Sequence, residues 1–418
     1  MNRGKALRLI AILVLAISTA NVSANGFRLA SQDGFATARG EAFVATADNP
    51  SAIYYNPAGI SQLKGNNLRS GLYGIYLNPS YSSTNHARTF HSSDNLAAVP
   101  QLFYTCTPKD FPVSFGLGVY APYGGSISWP QDTGFRAVAV NGSLTYLTIN
   151  PVVAFKVLPS LSIGGGAMVN YVNLDLEQGL LRNQLPNINY FRFAGKGWSV
   201  GYNLGLLWQP HEKVSIGASF RSSANVTLDG QTKIEQYPVI PTEQDRSAHT
   251  DFTFPLTTVV GISYRPTPRW NLEFDADYTD WSSFGSSTIS QSSKPPGINQ
   301  NIQFALDWQP SWIYEFGVTR YFDNGWHVSA GYVYNENSVP DAHYTPLAAD
   351  LDRHFLCVGT GRKGKRFDFD VAYQLGYGPA RTVTGSTPST AGQIAGQTAD
   401  GTYDFISQAV LVTVGMHF

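Results

Sequence analysis

This sequence has little that could build a metal centre or a disulfide core. Its 418 residues hold two cysteines and three methionines. Its eight histidines are scattered without metal-ligand spacing. No cofactor and no metal is expected. Cys106 and Cys357 fall on predicted strands far apart in the wall, and a disulfide needs Cα atoms within ~7 Å, so none is expected. Charge is also scarce: 14% of residues are charged, against ~25% in soluble domains. The 28 basic residues do not outnumber the 29 acidic ones, which argues against a nucleic-acid partner. Past residue 24 no stretch approaches the ~18 apolar residues that a membrane-crossing helix needs.

What is present begins with an export leader. Arg3, Lys5 and Arg8 precede the apolar run 9–20, and Val22-Ser23-Ala24 meets the small-residue cleavage rule, so the mature chain is expected from Asn25. Losing residues 1–24 removes three basic residues and leaves 25 basic against 29 acidic ones over 394 positions.

Beyond 66 the sequence alternates. In 268–281, Trp270, Leu272, Phe274, Ala276 and Tyr278 share one face; Asn271, Glu273, Asp275, Asp277 and Thr279 share the other. The segments 212–222, 325–335 and 365–377 repeat this period of two, which is that of a strand with one apolar face. Tight turns are expected near 108–110, 159, 210–211, 265–267, 323–325 and 362–364. Long polar loops are expected near 79–96, 122–142, 177–196, 228–250, 282–307, 338–350 and 378–402. Short and long connections alternate strictly, the pattern of short periplasmic turns and long outer loops. These thirteen connections join fourteen strands. The fold expected is all-β, a 14-stranded antiparallel transmembrane β-barrel over 67–418. An exported chain with no spanning helix has only the closed barrel left as a way across a membrane, which places it in the outer membrane of a Gram-negative cell. Trp208, Tyr264, Trp270, Trp281, Trp312, Tyr321 and Trp326 sit near predicted strand ends, where aromatic girdles form.

The last strand alternates to the final residue. Val410, Val412, Val414, Met416 and Phe418 share a face, and Phe418 is expected to be the signal read by the barrel-assembly machinery. Residues 25–66 do not read as wall strands. Pro50 and Pro57 disfavour ladder positions, a short helix is expected within 36–47, and Phe27, Phe35, Phe43, Ile53, Tyr54 and Tyr55 are too apolar for a free tail. A plug inside the barrel is expected.

At this point the chain resembles the FadL family of outer-membrane transporters for hydrophobic compounds. The resemblance rests on Gly26-Phe27, the run from Gly34 to Gly40, Asp48 and Asn56-Pro57-Ala58-Gly59 in the plug. It continues through Ala121-Pro122-Tyr123-Gly124-Gly125, Trp129, Phe135-Arg136, the 149–164 hairpin, 278–284 and Asp352-Arg353-His354. Ala30 departs from the acidic or polar residue of many members. The resemblance implies a monomer whose N-terminal hatch carries Gly26, Phe27, Asn56, Pro57, Ala58 and Gly59. It further implies a third strand kinked at a lateral opening, here Pro122, Tyr123, Gly124 and Gly125. The implied function is passive uptake of long-chain fatty acids, with monoaromatic hydrocarbons as the alternative cargo, by capture in an apolar pocket and release into outer-membrane lipid. Pro122 lacks a ladder donor and the glycines permit a bend, so the residues themselves agree with a gap. Arg136 and Arg353 are candidates to hold a cargo carboxylate, because arginine binds one bidentately.

Two catalytic patterns are set aside. Gly197-Trp198-Ser199-Val200-Gly201 opens a strand rather than a strand-to-helix elbow. Gly359 to Gly364 spells a dinucleotide motif with no helix after it. No catalytic residue is assigned, and an outer-membrane lipase and an open porin for polar solutes remain the other classes. Deleting Phe418 should lower the amount of folded, heat-modifiable protein in outer-membrane fractions. Wild-type levels of the deletion would remove its role as an assembly signal.

Overall fold

The computed structural model describes residues 26–418, apart from 86, 94, 110, 181–188, 237–239, 296–297, 349 and 393–396. The expected leader lies outside the described residues. The alternating segments form a closed antiparallel ring of fourteen wall strands. They are β1 (Gly65–Leu77), β2 (Leu96–Thr107), β3 (Val113–Tyr120 and Gly124–Ser128), β4 (Asn141–Leu158), β5 (Leu161–Gly179), β6 (Asn189–His211) and β7 (Val214–Arg221 and Ala224–Gln236). The other half is β8 (Ile240–Phe254 and Thr257–Tyr264), β9 (Trp270–Thr279), β10 (Ser311–Tyr321), β11 (Trp326–Asn335), β12 (Arg353–Lys363), β13 (Phe367–Val383) and β14 (Gly401–His417). β14 closes on β1 from Asn67↔His417 to Leu77↔Ser407. The Phe418 N–H donates to the Asn66 carbonyl at 2.9 Å and the Asn66 N–H to the Phe418 carbonyl at 3.0 Å, so the final residue completes the wall. β1 begins at Gly65, two residues before the expected 67.

The faces sort as a membrane requires. Leu272, Phe316, Val328, Val358 and Val412 are exposed on the outside, while Asn271, Glu273, Asp275, Asp277 and Thr279 are buried within. Two of the expected loops are largely strand. The ladder of β7 and β8 runs from Ala224↔Phe254 to Gln236↔Ile240, through the region read as the loop 228–250. There Val226, Leu228 and Ile234 point inward between exposed Asn225, Thr227 and Asp229, and the polar half of that alternation masked it. Likewise β5 and β6 enter the region read as 177–196. Of the expected girdle, Trp208, Tyr264, Trp270, Trp312 and Trp326 are exposed. Trp281 is not part of it: it is fully buried in a 3-10 turn, because the chain folds inward after β9. Tyr321 packs against the N-terminal segment instead.

Residues 26–63 pack against strands on every side of the ring. The helix there is α1 (Gly34–Ala38), shorter than expected, because Gly40 and Glu41 both take φ of 64° and end it. A second short helix, α2 (Ala52–Tyr55), leads into a 3-10 turn, Pro57–Gln62. Phe35, Phe43, Ile53, Tyr54 and Ile60 form one buried cluster with Phe103, Tyr120 and Val152 of the wall. The backbone approaches the wall so closely that side chains are excluded at two wall glycines. A β-carbon at Gly217 would collide with the Val44 carbonyl, and one at Gly331 with the Gly40 amide. Gly331→Val should therefore leave a barrel with a lowered unfolding temperature, a loss of about 1–3 kcal/mol or more, read from the temperature at which the compact gel band is lost. An unchanged temperature would mean that the segment does not press on the wall there.

Candidate functional site

An irregular segment inside a barrel carries backbone N–H groups that need acceptors. The inward face of β9 supplies them. Asp275 accepts from the amides of Phe43 and Val44, both at 2.8 Å, and Glu273 accepts from those of Ala45 and Thr46 at 2.8 and 3.1 Å. Glu273 also pairs with Arg39 at 3.1 Å. Asp277 is held bidentately by Arg28, at 2.8 and 2.5 Å, with Thr279 taking a further bond at 2.8 Å. Across the lumen, Asp33 caps α1 through the amides of Phe35 and Ala36 and pairs with Arg69, which also reaches Asp370 at 2.6 Å. The polar half of the 268–281 alternation is thus the seat of the N-terminal segment.

The Asn56-Pro57-Ala58-Gly59 motif is a joint. Asn56 Nδ2 donates to the carbonyls of Val44 at 2.7 Å and of Leu206 on β6 at 3.0 Å, while its Oδ1 accepts the Ala58 amide at 3.2 Å. Pro57 starts the 3-10 turn, where a missing N–H costs nothing. Gly59 leaves room for the Ala47 carbonyl.

Beside the segment lies an apolar pocket whose empty space, its open mouth included, is about 1050 Å³. Phe27, Phe252, Phe254, Phe284, Trp308 and Leu347 dominate its lining, which includes no Lys, Arg, Asp or Glu among the described residues. Phe27 stands in an aromatic box, its ring 5.1 Å from Trp281, 5.2 Å from Phe284 and 5.4 Å from Trp308.

Beside this cavity the wall is open. β2 and β3 pair only from Leu102↔Val119 to Cys106↔Phe115. Above that, 96–101 of β2 pairs with β1 alone, and 124–128 of β3 with β4 alone. Among the described residues a single bridge, the Ser93 amide to the Ser128 carbonyl at 2.9 Å, rejoins the edges at the top. Between them β3 breaks at 121–123, and its backbone turns to the N-terminal segment. The Leu29 amide donates to the Pro122 carbonyl at 2.8 Å, and the Gly124 amide donates to the Phe27 carbonyl at 2.9 Å. Gln32 Nε2 adds a bond to the Ala121 carbonyl at 2.9 Å. Tyr123 is buried and reaches the Pro255 carbonyl at 3.2 Å. The other edge of the gap holds a residue that sequence reasoning passed over. The Leu77 amide bonds the Asn95 carbonyl at 2.8 Å, so odd-numbered residues of β2 face β1 and even-numbered ones face β3. Pro100 therefore has its missing N–H on the open edge.

The structure brings Gly26, Phe27, Pro122, Tyr123, Gly124 and Gly125 together. It brings neither arginine candidate to the apolar cavity. Arg136 is buried in the loop after β3, where its guanidinium meets Gln131 Oε1 at 2.8 Å and the Asn189 carbonyl at 2.6 Å, and burial lowers its pKa. Arg353 is buried with its guanidinium carbon 3.6 Å from the centre of the Phe405 ring, in the lining of a second lumen cavity with Tyr73, Glu41 and Glu315. Ser199 lies within β6, where its hydroxyl accepts from Asn170 Nδ2 at 3.3 Å.

A closed barrel with an occupied lumen, an apolar cavity and an unpaired wall edge defines the class of outer-membrane transport barrels. The chain belongs to the outer membrane protein transport family OMPP1/FadL/TodX, whose profile matches residues 14–418. Members of this family are transport channels of the outer membrane and not enzymes. Among its relatives, the long-chain fatty acid transport protein of Escherichia coli O6:H1 (strain CFT073) is 24% identical over 394 residues, 84% of this chain and 86% of that protein. The solved structure of a Pseudomonas aeruginosa FadL homologue superposes with a TM-score of 0.82 at 18% identity, covering 94% of this chain and all of that one. The Pseudomonas putida toluene transporter TodX superposes with a TM-score of 0.71 at 15% identity, covering 94% and 100%.

Arg28→Ala should unseat the N-terminal strand, because it strands Asp277 as a buried carboxylate without its cation, at about 3–5 kcal/mol. Planar-bilayer recordings of the folded variant should then show larger and more frequent openings than wild type. Wild-type conductance would show that other contacts hold residues 26–31.

Proposed function

We propose that this chain takes up hydrophobic molecules passively, with long-chain fatty acids as the first candidate cargo and monoaromatic hydrocarbons as the second. Cargo is captured in the apolar cavity, passes the Phe27–Leu29 strand and leaves through the gap between β2 and β3 into the membrane. Residues 25–66 act as the hatch, and the barrel works as a monomer. The observation that carries this reading is the gap itself, clipped from inside by residues 27–29 and bordered by Pro122 on one edge and Pro100 on the other. An aqueous pore gives a greasy solute no driving force, whereas lateral exit delivers it to lipid while it stays in an apolar phase. The occupied lumen speaks against an open porin. The fatty-acid and toluene transporters among the relatives support hydrophobic cargo.

The test is to straighten the edges. Pro122→Val and Gly124→Val combined with Pro100→Val restore ladder donors on both sides, and none of the three positions lines the cavity. Surface level and ligand binding should persist, since the cavity is untouched, and uptake of labelled fatty acid should fall at least tenfold. A variant that folds, binds and transports at the wild-type rate would move the exit to the periplasmic end.

A further inference from the structure

The even-numbered residues of β9 and β10 face outward: Trp270, Leu272 and Phe274 on one strand, Phe316, Val318 and Arg320 on the other. Across the ladder Phe274 stands opposite Phe316, Leu272 opposite Val318 and Trp270 opposite Arg320. A guanidinium on this side of a membrane barrel is costly at mid-bilayer and tolerated near the interface. Arg320 is the last outward residue of β10, beside the short turns 265–269 and 322–325, at the periplasmic end. It lies across the ring from the gap between β2 and β3.

Rings hold this side chain, and no anion does. The Arg320 guanidinium carbon is 4.8 Å from the centre of the Trp270 ring and 5.9 Å from that of Phe322. Arg320 lines an open cleft whose empty space, its mouth included, is about 880 Å³. The cleft forms where the two turns meet, with the Tyr321 amide donating to the Arg269 carbonyl at 2.8 Å. Its one carboxylate, Asp323, is taken by Arg269 at 2.7 Å. Among the described residues no carboxylate pairs with Arg320, which is therefore the cation in excess. The same arc of the rim continues basic. Arg362 of β12 is also outward, opposite Trp326, and the turn after it reads Lys363-Gly364-Lys365-Arg366 with no acidic residue. The whole chain has no such excess, with 28 basic residues against 29 acidic ones, so the positive charge here is local.

We propose that the Arg320 cleft is a binding site for an anionic glycerophospholipid of the periplasmic leaflet. Arg320 takes the phosphate through its planar fork, which matches two phosphate oxygens. The acyl chains lie along the outward pairs Leu272–Val318 and Phe274–Phe316, directly on the membrane side of the head group. A lipid satisfies both halves of the surface, the unpaired guanidinium at the interface and the apolar track above it. A free phosphate ester meets the first half alone. Trp270 and Phe322 keep the guanidinium at head-group depth instead of letting it extend into water. The site is independent of the cargo route, which leaves through the opposite side of the ring.

Photo-crosslinking in nanodiscs of phosphatidylcholine tests the assignment on the full-length protein. The probes are a phosphatidylglycerol and a diacylglycerol, each with a diazirine near the glycerol end of one chain. Peptide mapping compares the segments 268–274 and 316–326 with 204–216, at the turn between β6 and β7. In wild type the phosphatidylglycerol should label the first two about fivefold or more above the third, as a charge-assisted bidentate contact requires, and the diacylglycerol should label all three alike. Arg320→Gln should remove the enrichment, and Arg320→Lys should keep part of it, because lysine retains the charge without the fork. Retention of the compact gel band shows that the variants fold. Even labelling in wild type, or enrichment that persists in Arg320→Gln, overturns the site and leaves ordinary annular lipid there. Displacement of the phosphatidylglycerol by millimolar glycerol 3-phosphate overturns the lipid and assigns the cleft to a soluble phosphate ester.

Discussion

The structure depends on one constraint: an irregular backbone held inside a membrane barrel must find a partner for every N–H. In water these groups would be solvated without help. Inside the ring they are met by carboxylates projecting from a single wall strand, with Glu273 and Asp275 taking four amides between them. Each unmet group would cost about 1–3 kcal/mol. The same carboxylates would be expensive if buried alone, so the segment and the strand stabilise each other. That mutual need explains why β9 is among the most strictly alternating strands of the chain, with every inward position from Asn271 to Thr279 polar.

The site follows from this seat. Asp277 fixes Arg28, and fixing Arg28 places Phe27 in the floor of the cavity and the amide of Leu29 against Pro122. The backbone groups that β3 turns away from β2 at 121–124 are satisfied by the N-terminal strand instead. The wall is therefore open toward lipid and yet hydrogen-bonded toward the lumen. A gap of this kind would be unstable if its edges faced hydrocarbon with free donors, and Pro100 and Pro122 reduce the number of such donors.

Much of this was legible in the sequence, because period-two alternation and the rhythm of short and long connections survive any detail of loop structure. The kink was legible from Pro122 and the glycines, and the joint at Asn56-Pro57 from the family resemblance. Other features were hidden for physical reasons. The β7–β8 extension has a polar outer face that stands in water beyond the membrane, so only half its pattern is apolar. Trp281 reads as a girdle residue until the turn after β9 carries it inward. Arg136 and Arg353 were reasonable carboxylate ligands by residue type, but the loops direct one to Asn189 and Gln131 and the other onto Phe405. Pro100 was visible but mute, since its meaning depends on which edge of β2 it faces, and that is a property of register.

Register also explains why cavity and gap work as one device. Phe27 and Leu29 stand two residues apart in an extended stretch, so the Phe27 carbonyl and the Leu29 amide both reach the kink while the Phe27 ring lines the cavity. Any displacement of Phe27 by cargo moves the same peptide units that hold Pro122 and Gly124. The two backbone bonds at stake there, at 2.8 and 2.9 Å, are separate from the Arg28–Asp277 pair that seats the same strand. On the proposed route, filling the cavity and unclipping the wall involve the same peptide units, because the Phe27 ring lines the cavity while its carbonyl holds Gly124.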